Sequence, residues 1–339
     1  MKLRILAGIL CVSVAVAVVW RAMQAPYYPS AYRLLKQALR AEHTTCYEAE
    51  ITISTKTNGE RRTATAKLYR LGRAGRIEYG SDSTGAILVT NLNETATYES
   101  ARRTLTVSES CGLVNCGRKL DLLLDNYRLG VIGQALIGGR DAWVMSISPR
   151  RKRRQGLPSR TIWIDKKMHI ILRTADYGPD LKPRSEMQIQ NVRTCDKLPL
   201  YLFRVPKVSS SAVCVKLEKC ATFSKASEQL GYAVRSPRYI PEGFILEGVR
   251  VCRCNCGCGF KSAQVRYTDG LRFISVYEEV GKPGCKRCGS YMKPSSAGAC
   301  PTIRAGNEAM AVFHCKQGRV IVVADMHPSE VRRIAKSVN

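Results

Sequence analysis

Hydrophobic and polar positions change period early in the chain. Between 30 and 42, Tyr32, Leu34, Leu35, Ala38, Leu39 and Ala41 recur at helical spacing behind Ser30, and predict a capped helix. From Cys46 the period becomes two. Tyr47, Ala49, Ile51 and Ile53 alternate with Glu48, Glu50, Thr52 and Ser54, the pattern of a half-buried strand. Asn58-Gly59 is a hairpin turn signal, and 61–71 returns as the partner strand. Short β segments follow at 76–79, 86–90, 95–99 and 104–107. A second helix is predicted at 118–126, where Leu120, Leu123 and Leu124 share a face. Segments 141–148, 160–165, 169–176 and 184–192 continue as a meander. Many strands with two helices predict one strongly curved antiparallel sheet wrapped around helical cover, not a parallel α/β enzyme. Apolar residues on the inner face of such a sheet make a groove for an acyl chain.

The remaining chain divides in two. Pro206, Lys207 and Ser209 to Ser211 mark 206–228 as a linker, with a short helix near 222–230. Pro237 and Pro241 introduce the strands of a smaller α+β domain at 229–339. That domain closes with an apolar strand through Val320, Ile321, Val322 and Val323 and a helix opening at His327. The first domain is therefore 26–205. Ahead of it, Lys2 and Arg4 precede sixteen uncharged residues, 5–20. A basic start followed by such a run reads as a signal peptide or signal anchor over 1–25. The chain is expected outside the cytoplasm, in the periplasm or cell envelope, either released or held to the inner membrane by residues 5–20.

Export gives the 15 cysteines a context. Cys11 lies in the export segment. Cys46, Cys111, Cys116 and Cys195 fall in the first domain, Cys214 and Cys220 in the linker, and eight between Cys252 and Cys315. Even numbers in an oxidising compartment favour disulfides. The candidates are Cys111, Cys116, Cys252, Cys254, Cys256, Cys258, Cys285, Cys288, Cys300 and Cys315, with connectivity open. The alternative is a zinc ion held by Cys254, Cys256, Cys285 and Cys288, a Cys-x-Cys loop opposite a Cys-x-x-Cys knuckle. On a straight strand, cysteines two apart lie about 6.5–7 Å from each other, so the zinc reading needs the chain to turn near Gly257 and Gly259.

Charge narrows the partners. Lys and Arg number 54 against 27 Asp and Glu, a net charge of +27. A field of that size concentrates anions, and export rules out nucleic acid in favour of acidic proteins or lipid headgroups. The run Arg150, Arg151, Lys152, Arg153 and Arg154 is either a solvated hairpin loop or a contact for an anionic membrane surface. Catalytic patterns are missing from the sequence. His43, His169, His314 and His327 are scattered, no Gly-x-Ser-x-Gly occurs, and Asp165 and Asp176 read as turn residues at strand ends. A non-enzymatic binding protein without a cofactor is the expectation.

Several short motifs occur in a telling order. Gly138-Gly-Arg-Asp-Ala-Trp143, Thr161-Ile-Trp-Ile-Asp165 and Leu172-Arg-Thr-Ala-Asp176 are followed by Pro241-Glu-Gly-Phe244. Arg266-Tyr-Thr-Asp-Gly-Leu271 then leads to Ser275-Val-Tyr277, and Val322-Val-Ala-Asp325 to Val331-Arg-Arg-Ile-Ala335. Together they resemble the MucB/RseB-type sigma-factor regulatory proteins, whose first domain is a half-barrel of the LolA/LolB kind. The resemblance implies an open, curved antiparallel β half-barrel with helical cover and a smaller, here cysteine-rich, α+β domain. It also implies an extracytoplasmic sensor that binds a membrane anti-sigma factor, or another envelope protein, and responds to a lipid or lipid-linked signal. A carrier of lipids or lipoprotein acyl chains is the alternative. The four-cysteine run and the Cys285/Cys288 pair lie outside the family's core pattern.

Overall fold

One β ladder runs through both expected domains. The computed structural model describes residues 28–57, 60–80, 85–109, 114–150, 159–178, 182–209, 212–257, 261–280, 302–305, 308–315 and 318–338. The first domain contains α1 (Ala31–Thr44), β1 (Cys46–Thr57), β2 (Glu60–Leu71), β3 (Ala74–Tyr79), β4 (Ala86–Thr90), β5 (Glu94–Glu99) and β6 (Thr104–Glu109). It continues with α2 (Val114–Asn126), β7 (Tyr127–Ile137), β8 (Arg140–Pro149), β9 (Ser159–Asp165), β10 (Ile171–Tyr177) and β11 (Pro183–Thr194). A 3-10 turn at Leu200–Phe203 leads to β12 (Val213–Cys220) and α3 (Phe223–Leu230). The second domain adds β13 (Ile245–Cys254), β14 (Lys261–Thr268), β15 (Phe273–Val280), β16 (Thr302–Ala305), β17 (Glu308–Cys315), β18 (Gly318–Ala324) and α4 (Pro328–Lys336).

Pairing sets the strand order as β7-β8-β9-β10-β11-β1-β2-β3-β4-β5-β6, an open antiparallel sheet. It then continues β12-β13-β14-β15-β18-β17-β16. The connection between the two runs is β6 with β12, the parallel pair among them. Residues 213–220 of the expected linker are thus a strand hydrogen-bonded on both sides. Its signal is visible in hindsight: past the serines, Val213, Val215 and Leu217 alternate with Cys214, Lys216 and Glu218. The sequence expectations also left out β7. Gly130 and Gly133 dilute its β pattern, and a bulge between Val131 and Gly133 breaks its period. His169, expected inside a strand, occupies the β9–β10 turn with φ of 58°.

Directly opposed residues of an antiparallel pair share a face. Following the register across the half-barrel, Met145, Ile162, Thr174, Met187 and Ile53 line up on one side. α1 covers this side over β7–β9, packing Leu34, Leu35 and Ala38 against Tyr127, Met145, Ile147, Ile162 and Ile164, with Leu123 of α2 beside them. In the second domain a row of small apolar residues, Val249-Val265-Val276-Val322-Ala311, crosses five strands. α3 and α4 bury Ala226, Leu230, Val331, Ile334 and Ala335 on it. Thr222 caps α3 by accepting from the Lys225 N–H, and Gly231, φ 73°, ends it. Among the described residues no helix is long and apolar enough to cross a membrane. The expected export segment lies outside them.

Candidate functional site

The turn after β14 is where the two domains grip each other. Asp269 accepts the N–H groups of Leu271 and Arg272 through Oδ1, an Asx turn that aims its Oδ2 away from the turn. Arg272 donates to that oxygen from Nη2 at 2.6 Å, and Tyr127, the first residue of β7, donates to it from its hydroxyl at 2.6 Å. Arg272 Nε also reaches the Tyr127 oxygen at 2.9 Å. All three are buried, Asp269 and Tyr127 fully so. Burial raises the Tyr127 pKa well above the ordinary phenol value, so it remains a donor. Burial opposes the charge on Arg272, and Asp269 and Tyr127 outweigh it, leaving that pKa raised.

Around this triad the contact is made by α2. Asn126 Nδ2 lies 3.0 Å from the carbonyls of Gly243, Asp269 and its own Leu122. Glu247 sits between Lys119 and Arg266 at ion-pair distances of 2.6 and 2.9 Å, though without aligned hydrogen bonds. Gly270 has φ of 94°, and a Cβ there would fall 2.4 Å from the Leu123 nitrogen. Only glycine allows the turn to lie this close to the helix backbone.

Asp325, at the end of β18, extends the junction. Burial pushes its carboxyl up to about 6; Arg272 and Arg160 oppose the rise and Asp176 adds to it. The native state therefore holds this proton more tightly than the unfolded chain, whose carboxylate titrates near 4. Deprotonation costs stability progressively between about pH 4 and 6, and fully above that window. Asp325→Asn is expected to raise unfolding free energy at pH 7 by on the order of 2 kcal/mol and to flatten the pH 4–6 slope. Denaturant titrations at pH 5 and 7 check this; equal slopes in both proteins would rule it out.

The second feature is the inner wall of the half-barrel. Ile53 opposes Met187 and Ala64, Ala66 opposes Ile51 and Tyr79, and Leu68 opposes Ala49 and Ile77, which in turn opposes Leu88. Ile53, Ile77, Tyr79 and Met187 are half-buried, packed on the buried Ile51, Ala66, Leu68 and Ile189. Ala41 of α1 belongs to the same cluster, so the helix reaches onto this wall too. A depression of roughly 180 Å³ on β1, β2 and β11 is polar by contrast, involving Glu48, Glu50, Lys67, Tyr69, Asn191 and Arg193.

The sequence motifs acquire contacts. Arg140 of the Gly-Gly-Arg motif donates to Asp165 of the Trp-Ile-Asp motif at 2.6 Å, while the other Asp165 oxygen accepts the N–H groups of Lys167 and Met168. Asp176 is held by Arg160 at 2.6 and 3.2 Å. Asp165 ends β9 at the turn, whereas Asp176, read as a turn residue, lies within β10 opposite Arg160. Arg150 is exposed, but its Nε binds the Leu124 and Tyr127 carbonyls at the C-terminal end of α2. Arg151, Lys152, Arg153 and Arg154 lie outside the described residues, as do Cys111, Cys258, Cys285, Cys288 and Cys300. Cys116 is on α2 and Cys315 ends β17. Cys252 and Cys254 share a face of β13, and the Cys256 N–H donates to the Cys254 sulfur at 3.4 Å in the turn beyond. Among the described residues no three His, Cys, Asp or Glu side chains converge as a metal site. The sequence reading passed over the Tyr127–Asp269–Arg272 triad, for which the Thr-Asp-Gly turn was the available signal.

These features describe an open half-barrel continuous, through β6 and β12, with a smaller α+β half. That fold is the fold of MucB. The MucA/MucB complex of Pseudomonas aeruginosa matches with a TM-score of 0.62 at 15% identity, covering 91% of this chain and 98% of that one. MucB in complex with MucA(peri) gives 0.60 at 15% identity over the same shares. MucB alone gives 0.56 at 14% identity, covering 91% and 97%. No protein-family model matches the chain, and no curated protein sequence does.

Proposed function

We propose that the chain is a non-catalytic regulatory binding protein of the cell envelope that engages a membrane anti-sigma factor and senses a lipid. The observation that carries this reading is the second domain, joined to the half-barrel through β12 and the buried Tyr127–Asp269–Arg272 triad. A carrier needs only a wall that accepts and releases an acyl chain, whereas a regulator needs two surfaces held in fixed relation. The solved complexes of MucB with MucA and MucA(peri), matched across nearly all of MucB, support the choice of partner class. The half-buried wall of Ile53, Ile77, Tyr79 and Met187 supports the lipid part, and the net charge of +27 suits an acidic partner or anionic headgroup.

The test uses the full-length chain, tagged and crosslinked in its native cell envelope. It is expected to bring down a membrane anti-sigma factor and to show a bound lipid in native mass spectrometry. Ile53→Lys sets a charge in the apolar wall and is expected to reduce lipid retention at least about tenfold while partner capture persists. Capture of lipoproteins in transit, without a membrane regulator, would replace this reading with that of a carrier.

A further inference from the structure

Cys46 opens β1 and Cys195 follows the last residue of β11, so the two strands meet with these cysteines at their common end. The register Glu48↔Arg193 and Tyr47↔Thr194 extends by one step to this pair. The Cys195 N–H donates to the Cys46 carbonyl at 3.3 Å. Opposed residues of an antiparallel pair have Cα atoms about 4.5–5.5 Å apart, inside the range that a disulfide spans. The sulfurs are 2.9 Å apart, in contact across a separation of 149 residues. Both side chains are partly exposed. Strands β2–β6 stand between β1 and the strands that carry Cys214, Cys220, Cys252 and Cys254.

We propose that Cys46 and Cys195 are a disulfide-forming pair that staples the two middle strands of the half-barrel at the point where the chain leaves it. The oxidant is a disulfide, of a small molecule or of a protein. One cysteine thiolate attacks that disulfide and expels the first leaving thiolate. The second cysteine then attacks the mixed disulfide at the first cysteine's sulfur and expels the other. Two protons pass from the cysteines to the leaving groups, and the oxidant ends as two thiols. Desolvation and the hydrogen bond to Cys46 raise the Cys195 thiol pKa, so pairing accelerates as the pH rises. The staple has a functional address: Ile53 and Met187, opposed on these same strands, belong to the apolar wall. Closing the pair ties the two strands at one end, with the bulge at Glu48/Glu50 between it and the wall. The inference stands independently of the partner or lipid assigned to the protein.

Peptide mapping of the full chain tests it without any substitution. Free thiols are blocked before digestion of protein incubated with oxidised glutathione. The peptide of Cys46 is expected joined to that of Cys195, the link disappearing on reduction. Blocked thiols at both positions, or either cysteine joined elsewhere, would overturn the proposal. Cys46→Ser, Cys195→Ser and the double variant supply a second arm. In oxidising buffer all three are expected to melt lower than the parent by the same amount, about 5–10 °C. In reducing buffer the four proteins are expected to coincide. Additive losses that persist under reduction would mean packing alone and would also overturn it.

Discussion

Asp269→Ala is expected to lower unfolding free energy by about 3–5 kcal/mol, because it strips the counter-charge from a guanidinium that stays buried. Arg272 is 4% exposed, and its Nη2 has Asp269 as its carboxylate partner at 2.6 Å. The same substitution removes the acceptor for the Tyr127 hydroxyl and for two turn N–H groups. Tyr127→Phe, which leaves the ion pair intact, is expected to cost only about 1–2 kcal/mol. Arg272→Met on the Asp269→Ala background should recover part of the loss, since removing both charges also removes the unpaired one. Urea titrations of these variants decide the matter. If Asp269→Ala unfolds with the parent's midpoint, the triad does not hold the domains. If the double variant is worse than Asp269→Ala alone, uncompensated charge is the wrong explanation.

Gly270→Ala is expected to cost a further, separate amount, about 3 kcal/mol or more, for two reasons that add. At φ of 94° an alanine is strained, by roughly 1 kcal/mol or more. Its Cβ would also lie 2.4 and 2.7 Å from the Leu123 nitrogen and Cα, and 2.9 Å from the Lys119 carbonyl oxygen. These are helix backbone atoms, which no rotamer change can move aside. The turn or α2 has to retreat, and the Asn126 contacts to Gly243 and Asp269 loosen with it. Hydrogen exchange should then quicken in both α2 and the β14–β15 turn. Gly133→Ala serves as the control: open space surrounds that position, and the change is expected to be near neutral. Similar midpoints for the two alanine variants would show that close approach at Gly270 is not a constraint.

Most of the half-barrel was legible because its strands alternate cleanly. The helices were legible for the same reason at a different period, although α2 begins earlier than Leu120, Leu123 and Leu124 suggested. The strands at 302–305 and 308–315 were not anticipated, but β7 and β12 are the instructive misses. β7 holds two glycines and a bulge, so its local pattern is weak and its place depends on pairing with β8. β12 sits behind serines that mark flexible chain; what makes it a strand is partners distant in sequence, Thr104–Ser108 on one side and Val249–Cys254 on the other. The site was less legible than the fold. Thr268-Asp-Gly270 stood out only as part of a motif, and nothing local indicates that its aspartate is buried under a tyrosine 142 residues away. The pairing of Cys46 with Cys195 is hidden likewise, since sequence counts cysteines by block while register brings two ends together. By contrast, Arg140 with Asp165 shows a motif whose spacing the fold explains directly: the hairpin returns one to the other.

The parallel step from β6 to β12 bears on where such a chain can be divided. A cut at residue 205, which composition recommends, would leave β6 with an open edge of backbone donors and acceptors and strip the covering from Tyr127. An edge of that kind recruits other chains. Either half expressed alone from this boundary is therefore expected to self-associate more readily than the whole chain. The boundary that keeps β6 covered lies beyond β12, not before it.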